Sequence, residues 1–245
     1  MDALVLSLLP HGEHGGVLRL LTAEQGLLTG YVPGARSRKL RAVLEPGNLV
    51  SIATAGRQRA GMPLLAVEPL ALRSALLTGL PALAALTYTT SLCAAVLAEA
   101  VPQPRLFSAL DGLAAALAAG AAPLAIGVAV VQLELLALAE LGLALDLSTC
   151  AATGAVDDLA FVSPKSRQAV SRATGQPWAA RLLPLPAFVL AGGPADAVAM
   201  ADGLRLSGHF IARDVLPGQP PRLAEARARL VAALGKALGG GALAM

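Results

Sequence analysis

The stretch ALVLSLLPHGEHGGVLRLLTAEQGLLTGYV, residues 3–32, decides the fold. It holds three short apolar runs, Ala3–Leu9, Val17–Thr22 and Leu27–Val32, with the turn residues His11–Gly16 between the first two. Two more runs, Asn48–Thr54 and Pro63–Leu70, follow beyond Pro33-Gly34 and Pro46-Gly47. Gly and Pro punctuate strands because one supplies positive φ and the other removes a backbone donor where the chain must reverse. Five short strands in about 70 residues predict a small barrel. The five-stranded oligonucleotide-binding (OB) barrel is one such fold, and it binds nucleic acid across one face and its loops.

After Arg73 the texture becomes helical. Leu83, Leu86, Thr90 and Leu97 follow a helical spacing, as do Leu124, Val128, Val131, Leu135, Leu138 and Leu145, and these read as core helices. A polar, turn-rich stretch interrupts the pattern over about residues 147–186, and helical pattern returns over Pro194–Phe210 and Pro221–Leu238. The expected fold class is α+β: a five-stranded OB-fold barrel over residues 1–73, then an all-helical domain over residues 74–245 that carries the insert.

Composition narrows the function classes. Of 245 residues, 56% are hydrophobic, 14% charged and 3% aromatic, which excludes intrinsic disorder. Ala and Leu supply 102 of the 245, the residue types that favour helix over sheet. Two cysteines exclude a disulfide framework and a four-cysteine zinc site made by this chain alone, and they point to a reducing, cytoplasmic compartment. Residues 74–98 and 112–131 carry no charge and are long enough to span a bilayer. Both contain proline, at Pro81 and Pro123, and neither has Trp or Lys/Arg anchors at both ends, so buried helices are expected and no membrane partner. No basic segment precedes Ala3–Leu9, so that run does not read as a signal peptide.

Charge is concentrated in the first third. Residues 1–73 hold eight cations against five anions, a net of +3 that equals the net charge of the whole chain. Six of those cations, Arg36, Arg38, Lys39, Arg41, Arg57 and Arg59, lie between residues 36 and 59 with only Glu45 among them. The segment Gly34-Ala35-Arg36-Ser37-Arg38-Lys39-Leu40-Arg41 places four of them in six positions, read as a loop between two strands. Such a loop is either a solvated basic surface or a set of phosphate contacts, and Arg57 and Arg59 nearby favour the second. Tyr31 is the one aromatic of the barrel, so a platform for stacked bases is largely missing and backbone electrostatics should dominate. A second cationic line, Arg222, Arg229 and Lys236 at spacing seven, falls on one face of the last helix opposite Leu223, Leu230 and Leu234. It reads as a solvent face or a binding stripe.

Enzymatic signatures are missing. The chain has no phosphate-loop motif, no Gly-x-Ser-x-Gly elbow, no Ser-x-x-Lys and no His-Glu-x-x-His, so no catalytic residue is assigned. His11-Gly12-Glu13-His14 reads as a polar hairpin turn without a third metal ligand, and Cys93 as a small buried hydrophobe. Glu134 and Glu140, six apart on an apolar helix, read as structural charges that each find a partner.

An ordered set of short motifs carries a family resemblance. Val5-Leu6-Ser7, Gly12-Glu13-His14, Leu20 to Gly26, Gly34-Ala35-Arg36 and Leu44-Glu45-Pro46-Gly47 resemble, in order and spacing, the RecO family of bacterial recombination mediators. Gln132 to Leu136, Leu141-Gly142-Leu143, Leu147 to Gly154, Phe161-Val162-Ser163-Pro164 and Leu183-Pro184-Leu185-Pro186 extend the likeness from about residue 3 to residue 216. The resemblance implies an OB domain followed by a helical domain, binding of single- and double-stranded DNA, and annealing of complementary strands. It also implies that, with RecR, the protein helps RecA load onto DNA coated by single-strand-binding protein (SSB), with no catalytic residues and no cofactor. The helical domain of the family receives the acidic, hydrophobic C-terminal tail of SSB. Arg105 with Leu106 and Phe107, or the Arg222, Arg229 and Lys236 stripe, are the places here for that contact. Some members carry a zinc ribbon built from two Cys-x-x-Cys pairs. Cys150 matches its first position, but Thr153 stands at the second and residues 169–175 hold no cysteine, so a degenerate, zinc-free ribbon-like insert is expected. An OB-fold RNA-binding factor shares the electrostatic features, and a small membrane protein is the more remote alternative.

Overall fold

The computed structural model describes residues 1–59 and 61–239, without the side chains of Ala55 and Arg57. Arg57, one of the expected phosphate contacts, therefore has its side chain outside the described residues. The chain forms two compact units, Met1–Ala121 and Ala122–Met245.

In the first unit, strands β1 (Asp2–His11), β2 (Gly15–Thr22), β3 (Gly26–Val32), β4 (Leu49–Arg59) and β5 (Met62–Ala71) close into a barrel in the order β1-β2-β3-β5-β4. β1 returns to β4 through Asp2 opposite Ser51, and the one parallel junction is β3 to β5 at Tyr31 and Leu64. This closure leaves no free sheet edge, the liability that an open five-stranded sheet would carry. The expected OB barrel is thus present, with each strand within a few residues of its sequence-read run. Inside it lie Ala3, Val5, Leu18, Leu20, Val32, Val50, Ile52 and Leu65, alternate residues of their strands. Leu4 and Leu6, on the opposite face of β1, are also buried, which is why this strand reads as a continuous apolar run rather than an alternating one.

Helix α2 (Leu80–Val96) and helix α3 (Pro104–Ala118) belong to the same unit. α2 is apolar around its whole circumference and packs on β1, β2 and α3. The compact unit therefore runs past the change of texture at Arg73. Arg73 itself is tied to Asp111 of α3 by a 2.5 Å ion pair. The link from α2 to α3 lies against the β2–β3 turn, where Gln103 N–H donates to the Ala23 carbonyl at 3.2 Å and Thr29 Oγ1 donates to Glu99 at 2.6 Å. Gly26 at that turn has φ +63°, and a Cβ there would stand 1.8 Å from the Val101 carbonyl oxygen, so only glycine fits.

In the second unit, helix α4 (Pro123–Glu140) packs against α7 (Ala197–Phe210) and α8 (Pro221–Ala237). By length and composition α4 could cross a membrane. Its burial against two helices and its ion pair account for the same composition as that of a core helix. Glu134 is fully buried there and accepts from Arg227 Nε at 2.7 Å and Nη2 at 3.1 Å and from the Ser207 hydroxyl, so this structural charge has partners. The helical spacing in the sequence runs on to Leu145, but α4 stops at Glu140. Gly142 (φ +73°) ends it, with Leu143 N–H bonded to the Leu138 carbonyl and Gly142 N–H to that of Ala139, a Schellman closure.

The polar insert contains strands β6 (Leu159–Val162), β7 (Ala169–Ser171) and β8 (Leu183–Pro184) in the order β7-β6-β8, with the one-turn helix α5 (Arg172–Gly175), and the short α6 (Ala187–Ala191) follows it. Residues 163–167 are fastened to the turn that follows α7. Arg167 pairs with Asp214 at 2.9 Å, and Arg213 bonds both Asp214 and the Pro164 carbonyl. Those guanidiniums, Arg213 first, hold the Asp214 carboxyl below its ordinary range. Cys150 is buried, and its sulfur accepts from Ser171 N–H at 3.3 Å. Hydrogen bonds from the Ser171 side chain first, then Thr153, bring this thiol down to about 6. Cys93 is pushed up to about 12 by burial in α2.

Candidate nucleic-acid interface

The cationic segment after β3 is held by its apolar residues and presents its charged ones. Ala35, Val43 and Leu44 are buried in the barrel core, while Arg36, Arg38, Lys39 and Arg41 are exposed. The expected loop is in part helical: Arg38–Arg41 form one helical turn, α1, whose N-cap Ser37 accepts from Leu40 N–H at 3.3 Å. A serine ahead of helix-favouring Arg, Lys and Leu is a sufficient local cause. Both ends of the segment are anchored. Arg36 N–H bonds the His14 carbonyl and its guanidinium donates to the Glu13 carbonyl at 3.2 Å, so the segment leans on the β1–β2 turn. At the other end, fully buried Asn48 donates to the carbonyls of Ala42 at 2.8 Å and Val43 at 3.1 Å and accepts from Ser74 N–H at 2.9 Å. This amide ties the end of the cationic segment to Ser74, a role the sequence gives no sign of, since there Asn48 reads only as the first residue of a strand run after Pro-Gly.

Arg59 approaches the same β1–β2 turn from the β4–β5 hairpin, its guanidinium 4.7 Å from the Tyr31 ring centre. His11 meets the same ring edge-on with the ring centres 5.9 Å apart, and the hydroxyl end of the ring lies over Gly15, where a Cβ would be 1.9 Å away. Tyr31 is 3% exposed, so the only barrel aromatic is covered by a cation and cannot stack on a base. The structure thus brings Arg36, Arg38 and Arg41 together around one groove, leaves Lys39 exposed on the same turn, and sets Arg59 beside the turn that Arg36 touches. Exposed cations of this kind can meet the phosphates of a strand, and such contacts need no base-reading geometry.

The two alternative places for a protein tail lie on different helices, α3 of the first unit and α8 of the second. Arg105 and half-buried Phe107 are on α3, but Leu106 between them is fully buried in the first unit and offers no surface. Arg222, Arg229 and Lys236 are exposed along one side of α8, with Leu223, Leu230 and Leu234 buried on the other. Among the described residues, no three His, Cys, Asp or Glu side chains gather as a metal site. His14 and Glu13 lie 4.0 Å apart on an exposed turn.

Comparison with known proteins agrees with this architecture. The family model described as Recombination protein O N terminal matches residues 1–72, and that described as Recombination protein O C terminal matches residues 77–223. The chain is 45% identical over 233 residues to the DNA repair protein RecO of Rhodospirillum rubrum, covering 93% of this chain and 92% of the relative. The DNA repair proteins RecO of a Chelativorans species and of Paracoccus denitrificans are 41% and 42% identical, each over 95% of this chain and 94% of the relative. With a closed five-stranded barrel ahead of a helical region and both family models matched in order, the chain belongs to the RecO family of DNA repair proteins.

Proposed function

We propose that this protein is a non-catalytic recombination mediator of the cytoplasm. It binds single- and double-stranded DNA through Arg36, Arg38, Lys39, Arg41, Arg57 and Arg59, and it anneals complementary strands. With RecR it helps RecA load onto SSB-coated single strands. The division of labour falls near residue 73: barrel residues 1–73 hold DNA, and residues 74–245 supply protein contacts, with Arg105 and Phe107 or Arg222, Arg229 and Lys236 receiving the SSB tail. The gap between the two matched family segments, residues 72 to 77, supports that boundary.

The observation that carries this reading is the presented cation set: Arg38, Lys39 and Arg41 exposed on one capped turn, Arg36 exposed just ahead of it, and Arg59 over the single barrel aromatic, which is covered. Annealing requires the phosphate repulsion between two strands to be shielded without the bases being held tightly, and clustered cations without stacking platforms provide that. The test is annealing of complementary strands coated with the cognate SSB. The expected result is annealing in the presence of this protein at a rate well above that of the coated strands alone. A protein that binds bare strands but stalls on coated ones is a generic cationic binder, and a preference for RNA over DNA of the same sequence favours the RNA-binding reading.

The insert is proposed to fold without zinc. Its one cysteine is engaged by Ser171 and Thr153, and β6, β7 and β8 pair through their backbones. Metal analysis of the purified protein is expected to find zinc far below one equivalent; one equivalent that resists chelators contradicts this.

A further inference from the structure

We infer that the groove beside the cationic turn receives the unpaired bases of a single strand, so that this protein distinguishes single strands from duplexes by a wall of aliphatic side chains. The inference rests on the DNA-binding reading of Arg36, Arg38 and Arg41. The groove lies within the first unit and has a volume of about 960 Å³, at the upper end of small-molecule sites and roomy enough for more than one base. Its lining joins two chemistries: Arg36, Arg38 and Arg41, with Glu45 as the single acidic residue, and aliphatic side chains that include Leu83 and Leu86 of α2, with Thr87 of the same helix. Leu83 is 47% exposed, although helical spacing places it among core positions, and its exposure is onto this groove. The Thr87 hydroxyl donates back to the Leu83 carbonyl at 2.8 Å, which turns its remaining lone pairs outward as acceptors.

Charge complementarity selects the occupant. Three cations against one anion favour a polyanion, and aliphatic side chains in the same groove suit a ligand that joins backbone charge to flat apolar faces. A single strand has that construction. A duplex does not, because its base faces are stacked inside and only its phosphates can reach the arginines. Tyr31 is covered, so a base that enters this region meets leucine rather than an aromatic ring.

The test uses the full chain and three probes: a thymidine oligonucleotide, an abasic strand of the same length and backbone charge, and a duplex. Fluorescence anisotropy with the wild-type protein is expected to show the thymidine strand bound more tightly than the abasic one. Leu83→Gln is expected to lower affinity for the thymidine strand by about fivefold, the scale of one leucine contact, and to leave abasic and duplex affinities unchanged. Thr87→Gln, exposed on the same face of α2, serves as the second variant should the first disturb folding, and the same pattern is expected. Equal binding of thymidine and abasic strands by the wild type overturns the groove assignment while leaving the phosphate contacts standing. Absence of binding to either strand overturns both. In a Leu83→Cys variant, whose native Cys93 and Cys150 are buried, the thymidine strand is expected to slow alkylation by a neutral maleimide. Protection by an acidic, apolar peptide and not by the strand would assign the groove to a protein tail and overturn the inference.

Discussion

Glu134→Ala is expected to cost about 3–5 kcal/mol of folding stability, the largest single-residue effect in the second unit. The carboxylate is fully buried on α4, and the Arg227 side chain that pairs with it is 17% exposed. Removing the carboxylate takes two hydrogen bonds from a largely buried guanidinium that also donates to the Leu204 carbonyl at 2.8 Å, and it takes the acidic partner from the Ser207 hydroxyl. Gly208 leaves room for the guanidinium, since a Cβ there would lie 2.4 Å from Arg227 Nη2. Urea unfolding followed by circular dichroism measures the loss. The double variant Glu134→Leu with Arg227→Met is expected to recover most of it, because no uncompensated charge then remains and the apolar surroundings favour both side chains. A loss under about 1 kcal/mol for Glu134→Ala would mean that this pair does not hold α4, α7 and α8 together.

The second large effect concerns binding. Replacing Arg36, Arg38 and Lys39 together by alanine is expected to weaken single-stranded DNA binding about 100-fold at 0.1 M salt. Each phosphate neutralised on a single strand contributes about 0.7 to the slope of log K against log salt, so three contacts amount to about two decades at that concentration and fade toward 1 M. The loss should be alike for all base sequences, since phosphates carry no sequence information. Folding should survive, because the three side chains are exposed and the segment is anchored by Ala35, Val43, Leu44 and Asn48. Equilibrium titration with two unrelated oligonucleotides reads both the size and the uniformity of the change; unchanged affinity at low salt would refute the site assignment.

Much of the barrel was legible because its turns are marked by Gly and Pro and its strands are short and apolar. The one-turn helix at Arg38–Arg41 was not, since four residues are too few to show a helical period. Arg227 was hidden among the other cations of α8, although its spacing betrayed it: Leu223, Arg227, Leu230 and Leu234 lie at intervals of four, three and four, which puts the arginine on the buried face. A cation on an apolar helical face and an anion, Glu134, on another form a match that charge alone suggests and only the fold can seat. Leu83 misled in the opposite direction, its helical spacing suggesting core while the side chain faces a groove. Of the six expected phosphate contacts, the clustering of Arg36, Arg38, Lys39 and Arg41 was visible as sequence adjacency. The position of Arg59 over Tyr31 depends on the β4–β5 hairpin returning beside β3, a long-range pairing that no local pattern encodes.

The most direct test is a salt titration of single-strand binding by the wild-type and Arg36→Ala, Arg38→Ala, Lys39→Ala proteins side by side. Six phosphate contacts give a slope of log K against log salt of about −4 for the wild type, and removal of three gives about −2. A wild-type slope shallower than about −1, or the same slope in both proteins, would contradict the claim that this cationic turn holds the DNA backbone.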